Sequence, residues 1–120
     1  MFIGLRTATY QVNDLNQAKV WYRRVLGFEP YFDQPFYVGF NVGGFELGLT
    51  PGDAAPHRAA AGIAYWGVAD AQAAYRRLVE LGATGLEPVR DVGEGILIGT
   101  VHEPFGNVLG VIENPNFQIK

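Results

Sequence analysis

Hydrophobic and polar residues follow two different periods along this chain. After Asp14, apolar residues recur at intervals of three and four up to Gly27, which predicts an amphipathic helix. The segment from Asp70 to Gly82 repeats this plan and predicts a second helix. Aspartate at the first position accepts free backbone N–H groups, and glycine at the last tolerates a left-handed backbone. Asp14 and Gln17 also have the spacing of a capping box.

Alternating apolar and polar positions predict strands in most of the remaining sequence. The predicted strands cover residues 7–12, 36–42, 45–49, 63–68, 86–89, 96–101 and 108–113. Gly43-Gly44 indicates a hairpin turn between the second and third of these strands. The stretch 51–61 is rich in Ala, Gly and Pro and is the one candidate linker. We therefore expect an α+β fold with the order βαβββ, linker, βαβββ.

The two halves of the chain repeat each other. Short matching segments occur in the same order in both halves, at 12–14 and 68–70, 22–24 and 75–77, 26–27 and 81–82, 29–30 and 87–88, and 44–49 and 106–111. Chance similarity between two α+β segments is the alternative, but the shared order makes it improbable. A repeat of this kind decides the fold before local propensities do. Each copy, of about 50 residues, is too small to bury a sufficient core alone.

Composition and charge exclude several classes of protein. Hydrophobic residues make up 48% of the chain and charged residues 18%, which excludes a disordered chain. Cysteine is absent, so disulfide scaffolds, thiolate metal sites and cysteine nucleophiles are excluded. The net charge is −3 and the basic residues are scattered, so we expect no nucleic-acid partner. Long apolar runs and a signal-peptide pattern are also missing, so we expect no membrane partner and a cytoplasmic location.

The repeated signature resembles the vicinal oxygen chelate superfamily, the group of glyoxalase I, bleomycin resistance proteins and extradiol dioxygenases. Its carriers are Val12-Asn13-Asp14-Leu15, the run 21–28, and Glu103-Pro104-Phe105-Gly106-Asn107. The resemblance implies two βαβββ modules that form a U-shaped open barrel around a cavity, and frequently a homodimer. On this basis we predict one domain over 1–120, with module one at 4–50, the linker at 51–61 and module two at 62–117.

The resemblance also implies where enzymes of the superfamily hold a divalent metal. On this sequence the four positions are Thr7, Gly48, Ile63 and Gly110. Glycine and isoleucine have no side-chain donor atom and a neutral hydroxyl is a poor ligand, whereas a catalytic divalent ion usually takes three protein ligands. We therefore expect no metal and no cofactor. Glu46 would approach a ligand position only if the strand register were offset by two residues.

Strand alternation predicts which residues line the cavity. The candidate ligand-binding residues on the strands are Thr7, Thr9, Gln11, Tyr37, Asn41, Glu46 and Tyr65. Arg90 and Glu94 belong to a predicted loop at the cavity edge. Glycine at 48 and 110 is expected to leave space in the cavity. His57 and His102 are interpreted as solvated loop residues. The alternative is that the cavity residues only fill a small barrel or a dimer interface.

We therefore expect a metal-independent small-molecule binding protein, with its ligand in the barrel or the dimer cavity. The apolar and aromatic lining with few polar groups is typical of a binding pocket. The carboxylate of Glu46 would attract a cationic or amine-bearing ligand. One alternative is a metal-dependent glyoxalase- or dioxygenase-type enzyme with non-standard ligands such as Glu46 with His102. Another is a dimeric module with a filled cavity and no ligand.

Overall fold

The structure, a computed structural model, describes residues 1, 3, 5–52 and 63–116. The chain divides into two compact units, Met1–Ala55 and Pro56–Lys120. Positions 53–61 of the predicted linker, including His57, lie outside the described residues. Each unit contains one sheet and one helix in βαβββ order, which confirms the predicted α+β class and its repeated module.

The first unit is a four-stranded mixed sheet with one helix. Its elements are β1 (Thr7–Val12), α1 (Leu15–Leu26), β2 (Phe32–Gln34), β3 (Tyr37–Val42) and β4 (Phe45–Pro51). The strand order is β1-β4-β3-β2, and β1 runs parallel to β4 while the other pairs are antiparallel. The helical crossover between β1 and the hairpin of β3 and β4 makes this parallel pair possible. Strand β2 was not located by the alternation pattern.

The predicted helix signals position α1 against the sheet. Asp14 Oδ1 accepts a hydrogen bond from the backbone N–H of Gln17 at 3.0 Å, and Gly27 adopts a φ of +85° at the other end. The ring of Tyr22 on α1 is buried and stacks on Tyr10 of β1, with 6.3 Å between ring centroids. This contact identifies the face of the sheet that carries the core. The opposite face is called here the far face.

The face that packs against α1 contains the apolar half of each strand. Its buried members are Tyr10, Val12, Val38, Phe40, Leu47 and Leu49. Because side chains alternate along a strand, the residues between them lie on the far face. The alternation predicted from the sequence therefore assigns β1, β3 and β4 to their correct faces.

The second unit has the same organisation. Its elements are β5 (Ala64–Gly67), α2 (Ala71–Glu80), β6 (Thr84–Asp91), β7 (Leu97–His102) and β8 (Val108–Glu113), with the strand order β5-β8-β7-β6. Two predictions were wrong here. Arg90 lies within β6 and pairs with Ile98, because the strand extends past the predicted loop start. His102 is the half-buried last residue of β7, not a solvated loop residue.

Helix α2 is seated on its sheet through a glycine. A Cβ built at Gly99 of β7 would lie 3.0 Å from Cδ2 of Tyr75 and 2.9 Å from Cγ2 of Val89. The missing side chain therefore lets Tyr75 of α2 approach the strand. Asp70 caps this helix by accepting from the Ala73 N–H at 3.0 Å, as predicted. In the described parts of the chain, neither helix combines the length and apolar character that crossing a membrane requires.

Candidate functional site

The strand register places Glu46 on the far face, on the internal strand β4 between β1 and β3. Thr7 of β1 pairs with Glu46 of β4, and Thr9 pairs with Gly48. The direct neighbour of Thr7 is thus a carboxylate, and Gly48 lies two residues further along β4 on the same face. Glu46 therefore lies beside Thr7, one of the four positions at which the resemblance would place a metal ligand.

Three hydroxyl groups donate hydrogen bonds to the Glu46 carboxylate. Thr7 Oγ1 and the Tyr37 hydroxyl both donate to Oε1, at 3.0 Å and 2.9 Å. The Tyr31 hydroxyl donates to Oε2. Thr7, Tyr31, Tyr37 and Glu46 are called here the Glu46 cluster. Hydrogen bonds to an ionised acceptor are stronger than neutral ones, so the cluster fixes the carboxylate in one orientation.

The cluster keeps the acid charged and the phenols neutral at neutral pH. The hydrogen bond from Tyr31 lowers the pKa of Glu46 most, against an opposing effect of burial. Burial, and then the bond to Glu46, raises the pKa of Tyr37 to about 12. The bond to Glu46 also raises the pKa of Tyr31. Within residues 5–52 and 63–116, none of the observed ion pairs includes Glu46.

Two glycines make space for the tyrosine rings of the cluster. A Cβ at Gly39 would lie 2.9 Å from Glu46 Oε2 and 3.0 Å from Tyr31 Cε1. A Cβ at Gly48 would overlap the Tyr37 hydroxyl and lie 2.7 Å from Cζ of that ring. The expectation that Gly48 leaves open space was therefore wrong, because the Tyr37 ring occupies that space.

Exposed aromatic side chains continue from the cluster along β2 and the β2–β3 turn. Phe32 lies 6.5 Å from Tyr31, 6.0 Å from Tyr37 and 6.0 Å from Phe36, measured between ring centroids. Tyr31 is 63% exposed, Phe36 65% and Phe32 38%. Tyr31, Phe32, Phe36 and Tyr37 are called here the aromatic group. Of these, only Tyr37 was predicted; the density of aromatic residues between 28 and 40 was the available signal for the others.

The remaining predicted residues of the first unit lie around the cluster or have other contacts. Thr9 is exposed on the far face opposite Gly48. Gln11 is half-buried near the end of β1, close to Gly52. Asn41 Oδ1 accepts the Gly44 N–H at 2.9 Å, which assigns this side chain to the hairpin turn.

The predicted residues of the second unit have local contacts of their own. The Tyr65 ring covers Gly110, where an added Cβ would lie 2.5 Å from Tyr65 Cδ1, so this glycine does not leave space either. Arg90 forms an ion pair with Glu87 on the same strand at 3.7 Å. Glu94 adopts a φ of +58° in the turn before β7. Its backbone carbonyl accepts from Asn116 Nδ2 at 2.8 Å.

The donor groups present do not fit a divalent metal. Among residues 5–52, Glu46 is the carboxylate that lies beside Thr7, and both of its oxygens already accept hydrogen bonds from hydroxyl groups. In the second unit, Ile63 and Gly110 provide no side-chain donor. No group of three or more His, Asp or Glu side chains suited to a metal occurs among the described residues. A catalytic divalent ion usually needs three protein ligands.

The delayed ionisation of Tyr37 provides a test of this geometry. Of the six tyrosines, Tyr37 should ionise at a pH of about 12, and the Glu46→Gln variant should lower that value because one cause of the shift is removed. Since the folded state holds this proton more tightly, Tyr37 stabilises the fold below pH 10, and this contribution disappears as the pH rises through about 12. Tyrosine Cζ resonances followed by NMR titration measure both effects.

The control for this titration is Glu80→Gln, which removes an exposed carboxylate of α2 in the other unit. This variant should leave the titration of the Tyr37 resonance unchanged. The resonance that disappears in Tyr37→Phe is the one that belongs to Tyr37. Ionisation of Tyr37 at the ordinary tyrosine pKa in the unmodified protein would contradict the hydrogen bond to Glu46.

Comparisons with known proteins agree with the fold. The glyoxalase-related enzyme from Fulvimarina pelagi is 21% identical, with 99% of this chain and 94% of that chain covered and a TM-score of 0.77. Lactoylglutathione lyase from Agrobacterium tumefaciens is 20% identical over 100% of both chains, with a TM-score of 0.76. TioX from Micromonospora sp. ML1 is 17% identical, with 92% and 98% covered and a TM-score of 0.74.

At these identities the solved structures show the fold alone. The search of curated proteins found no match. Residues 4–111 match the family model described as "Glyoxalase/Bleomycin resistance protein/Dioxygenase superfamily". That match spans both βαβββ units, including the two capped helices and the residues of the Glu46 cluster, so the chain belongs to the Glyoxalase/Bleomycin resistance protein/Dioxygenase superfamily.

Proposed function

We propose that this chain is a metal-independent small-molecule binding protein whose ligand is held on the far face of the first sheet. The observation that carries the proposal is the Glu46 cluster beside the aromatic group. A charged carboxylate held by three hydroxyls supplies one directed polar contact, and the neighbouring rings supply apolar surface. Apolar and aromatic walls with a few fixed polar groups are typical of ligand sites.

The exposure of the aromatic group supports binding over simple packing. Tyr31 and Phe36 leave about two thirds of their surface exposed, and Phe32 between them is exposed as well, so the rings form one exposed apolar surface. Contiguous apolar surface of this kind is typical of interaction sites in soluble proteins. At Gly48 and Gly110, in contrast, tyrosine rings fill the space above the glycine. This is what the alternative of a module with a filled cavity requires at those two positions. The proposal therefore places the ligand against the aromatic group and not in the space above the glycines.

The names of the relatives do not decide the chemistry. One similar structure is called a lactoylglutathione lyase and another a glyoxalase-related enzyme. Fold likeness alone does not transfer an activity, since one fold carries many functions. In this chain the superfamily's metal positions lack donors, which supports binding without a metal. The homodimer and the cytoplasmic location stay predictions.

Metal uptake and ligand binding together test this proposal. The purified protein is incubated with nickel, zinc, manganese or iron(II), desalted and subjected to elemental analysis. We expect far less than one metal per chain, with no difference between the unmodified protein and Glu46→Ala. A thermal-shift screen with a broad ligand library should identify compounds that raise the melting temperature. In NMR spectra, these compounds should shift the amide resonances of β1, β3 and β4.

Each alternative function gives a different result in these experiments. Stoichiometric metal together with lyase or dioxygenase activity would establish the metal-dependent enzyme, and loss of that metal in Glu46→Ala would identify its ligand. A library that produces no thermal shift and no change in any resonance of the far face would establish a module without a ligand.

A further inference from the structure

We infer that the ligand of the far face carries a weakly hydrated organic cation, a tertiary or quaternary ammonium group, seated on the aromatic group with the Glu46 carboxylate behind it. This inference rests on the proposed binding function and names the ligand class. Three properties of the site support it: a carboxylate without an ion-pair partner among the described residues, few remaining acceptor positions on that carboxylate, and exposed aromatic side chains.

The first property is the negative charge of the site. Glu46 is held in its charged form, and none of the ion pairs seen between described residues neutralises it. Its hydrogen-bond partners are neutral hydroxyl groups, which orient the carboxylate but do not cancel its charge. An ion that replaces the missing partner must be positive. The site therefore selects a cation over an anion or a neutral molecule of the same shape.

The second property is the number of acceptor positions that remain. A carboxylate offers about four lone-pair sites, and three of those of Glu46 already accept a hydroxyl hydrogen. A primary ammonium brings three N–H donors, and a metal ion needs several oxygen ligands. The single position left on Oε2 takes one N–H or one metal bond, so both of these cations must keep most of their hydration water. A tertiary ammonium has one N–H to place there, and a quaternary ammonium has none.

The third property is the group of aromatic faces beside this charge. The Tyr31 ring connects the two, because its hydroxyl donates to Glu46 Oε2 while the ring lies next to Phe32. Phe36 extends the same surface and is 65% exposed. Aromatic faces attract cations electrostatically, and quaternary ammonium groups are the ligands most typical of such surroundings. Methyl groups on the nitrogen also cover apolar ring surface that water now contacts.

The test compares a cation with its uncharged copy. Choline and its uncharged carbon isostere, in which carbon replaces nitrogen, are titrated into the full chain at constant ionic strength, and amide shifts of β1 to β4 are followed by NMR. Methylammonium and sodium serve as the small hydrated cations. We expect choline to bind at least about tenfold more tightly than the isostere or methylammonium, a difference of roughly 1.4 kcal/mol.

Two variants separate the charge from the aromatic faces. Glu46→Gln should weaken choline binding by about tenfold or more and bring it to the level of the isostere, since removing the charge costs at least about 1.4 kcal/mol. Phe36→Leu keeps an apolar side chain at an exposed position, so it should preserve the fold and weaken choline more than the isostere. The matched control is Glu80→Gln, which makes the same change of net charge in the other unit and should leave choline binding unchanged.

The outcomes distinguish this inference from the proposed function. Equal binding of choline and the isostere, unchanged choline binding in Glu46→Gln, or no shift with choline or tetramethylammonium would overturn the cation inference. The proposed binding function would survive any of these results if neutral compounds from the library still shift the far-face resonances. Failure of every library compound would overturn the binding function itself.

Discussion

Replacing Glu103 by alanine should lower the free energy of unfolding by about 3 kcal/mol. Glu103 lies in the turn between β7 and β8 and is only 2% exposed. Its Oε1 accepts the backbone N–H groups of Phe105 and Asn107, both at 2.8 Å. The Asn107 side-chain amide donates to the same oxygen at 3.3 Å.

The cost arises because alanine leaves buried donors without an acceptor. Each unsatisfied buried donor costs roughly 1–3 kcal/mol, and alanine removes the acceptor of more than one N–H group here. The N–H groups of Phe105 and Asn107 cannot simply rotate toward water, because two backbone hydrogen bonds hold the turn. The Glu103 N–H donates to the Asn107 carbonyl, and the Gly106 N–H donates to the Glu103 carbonyl. The Glu103 side chain therefore acts as an internal acceptor for a tight turn.

Chemical denaturation monitored by Trp66, the tryptophan of the second unit, measures this effect. Glu103→Gln keeps one carbonyl acceptor, so its loss of unfolding free energy should be less than half of the loss caused by Glu103→Ala. Glu80→Ala removes an exposed acid of the same unit and should change the unfolding free energy by less than about 0.5 kcal/mol. If Glu103→Ala unfolds at the same denaturant concentration as the unmodified protein, the turn does not depend on this carboxylate.

The fold was predictable where a periodic pattern was long enough to read. Both helices are capped by the predicted aspartates. The occurrence of the same helix pattern in both halves of the chain identified the repeated module. Strand β2 was missed because three residues cannot display alternation. The extent of β6 was underestimated because the register shifts at Glu87, and again before Arg90, which breaks the period of two.

The candidate site was predictable to the same degree as the strands that carry it. Alternation along β1, β3 and β4 assigned Thr7, Tyr37 and Glu46 to one face, and the structure joins them by hydrogen bonds. Tyr31 was missed because it precedes β2, where no periodic pattern fixes a direction. Phe36 was missed because alternation along the predicted strand 36–42 groups it with Val38 on the helix side, whereas β3 begins only at Tyr37. Which ring lies across which glycine depends on side-chain rotamers of neighbouring strands, and a sequence pattern does not specify these.

Replacing Gly48 by alanine should disrupt the Glu46 cluster and destabilise the first unit by about 1–3 kcal/mol, the usual range for overpacking. Gly48 is buried in β4 and pairs with Gly39, which places Tyr37 diagonally across the two strands. The new methyl group would occupy the position of the Tyr37 hydroxyl and lie 2.7 Å from Cζ. The ring must turn away, and its hydrogen bond to Glu46 is then lost. Denaturation monitored by Trp21 measures the cost.

A double-mutant cycle shows whether the Tyr37 ring is the cause. Gly48→Ala should cost much less in a Tyr37→Ala background, because the atoms that it displaces are absent, and the difference between the two costs is the coupling energy. The matched control is Gly67→Ala in β5, where an added Cβ meets nothing within 4 Å and the change should be close to neutral. Equal costs of Gly48→Ala in both backgrounds would mean that Tyr37 does not occupy the space above Gly48.

Gly48→Ala should also weaken choline binding, because Tyr37 no longer orients the Glu46 carboxylate. If both effects are observed, one ring contributes to the stability of the first unit and to the orientation of Glu46.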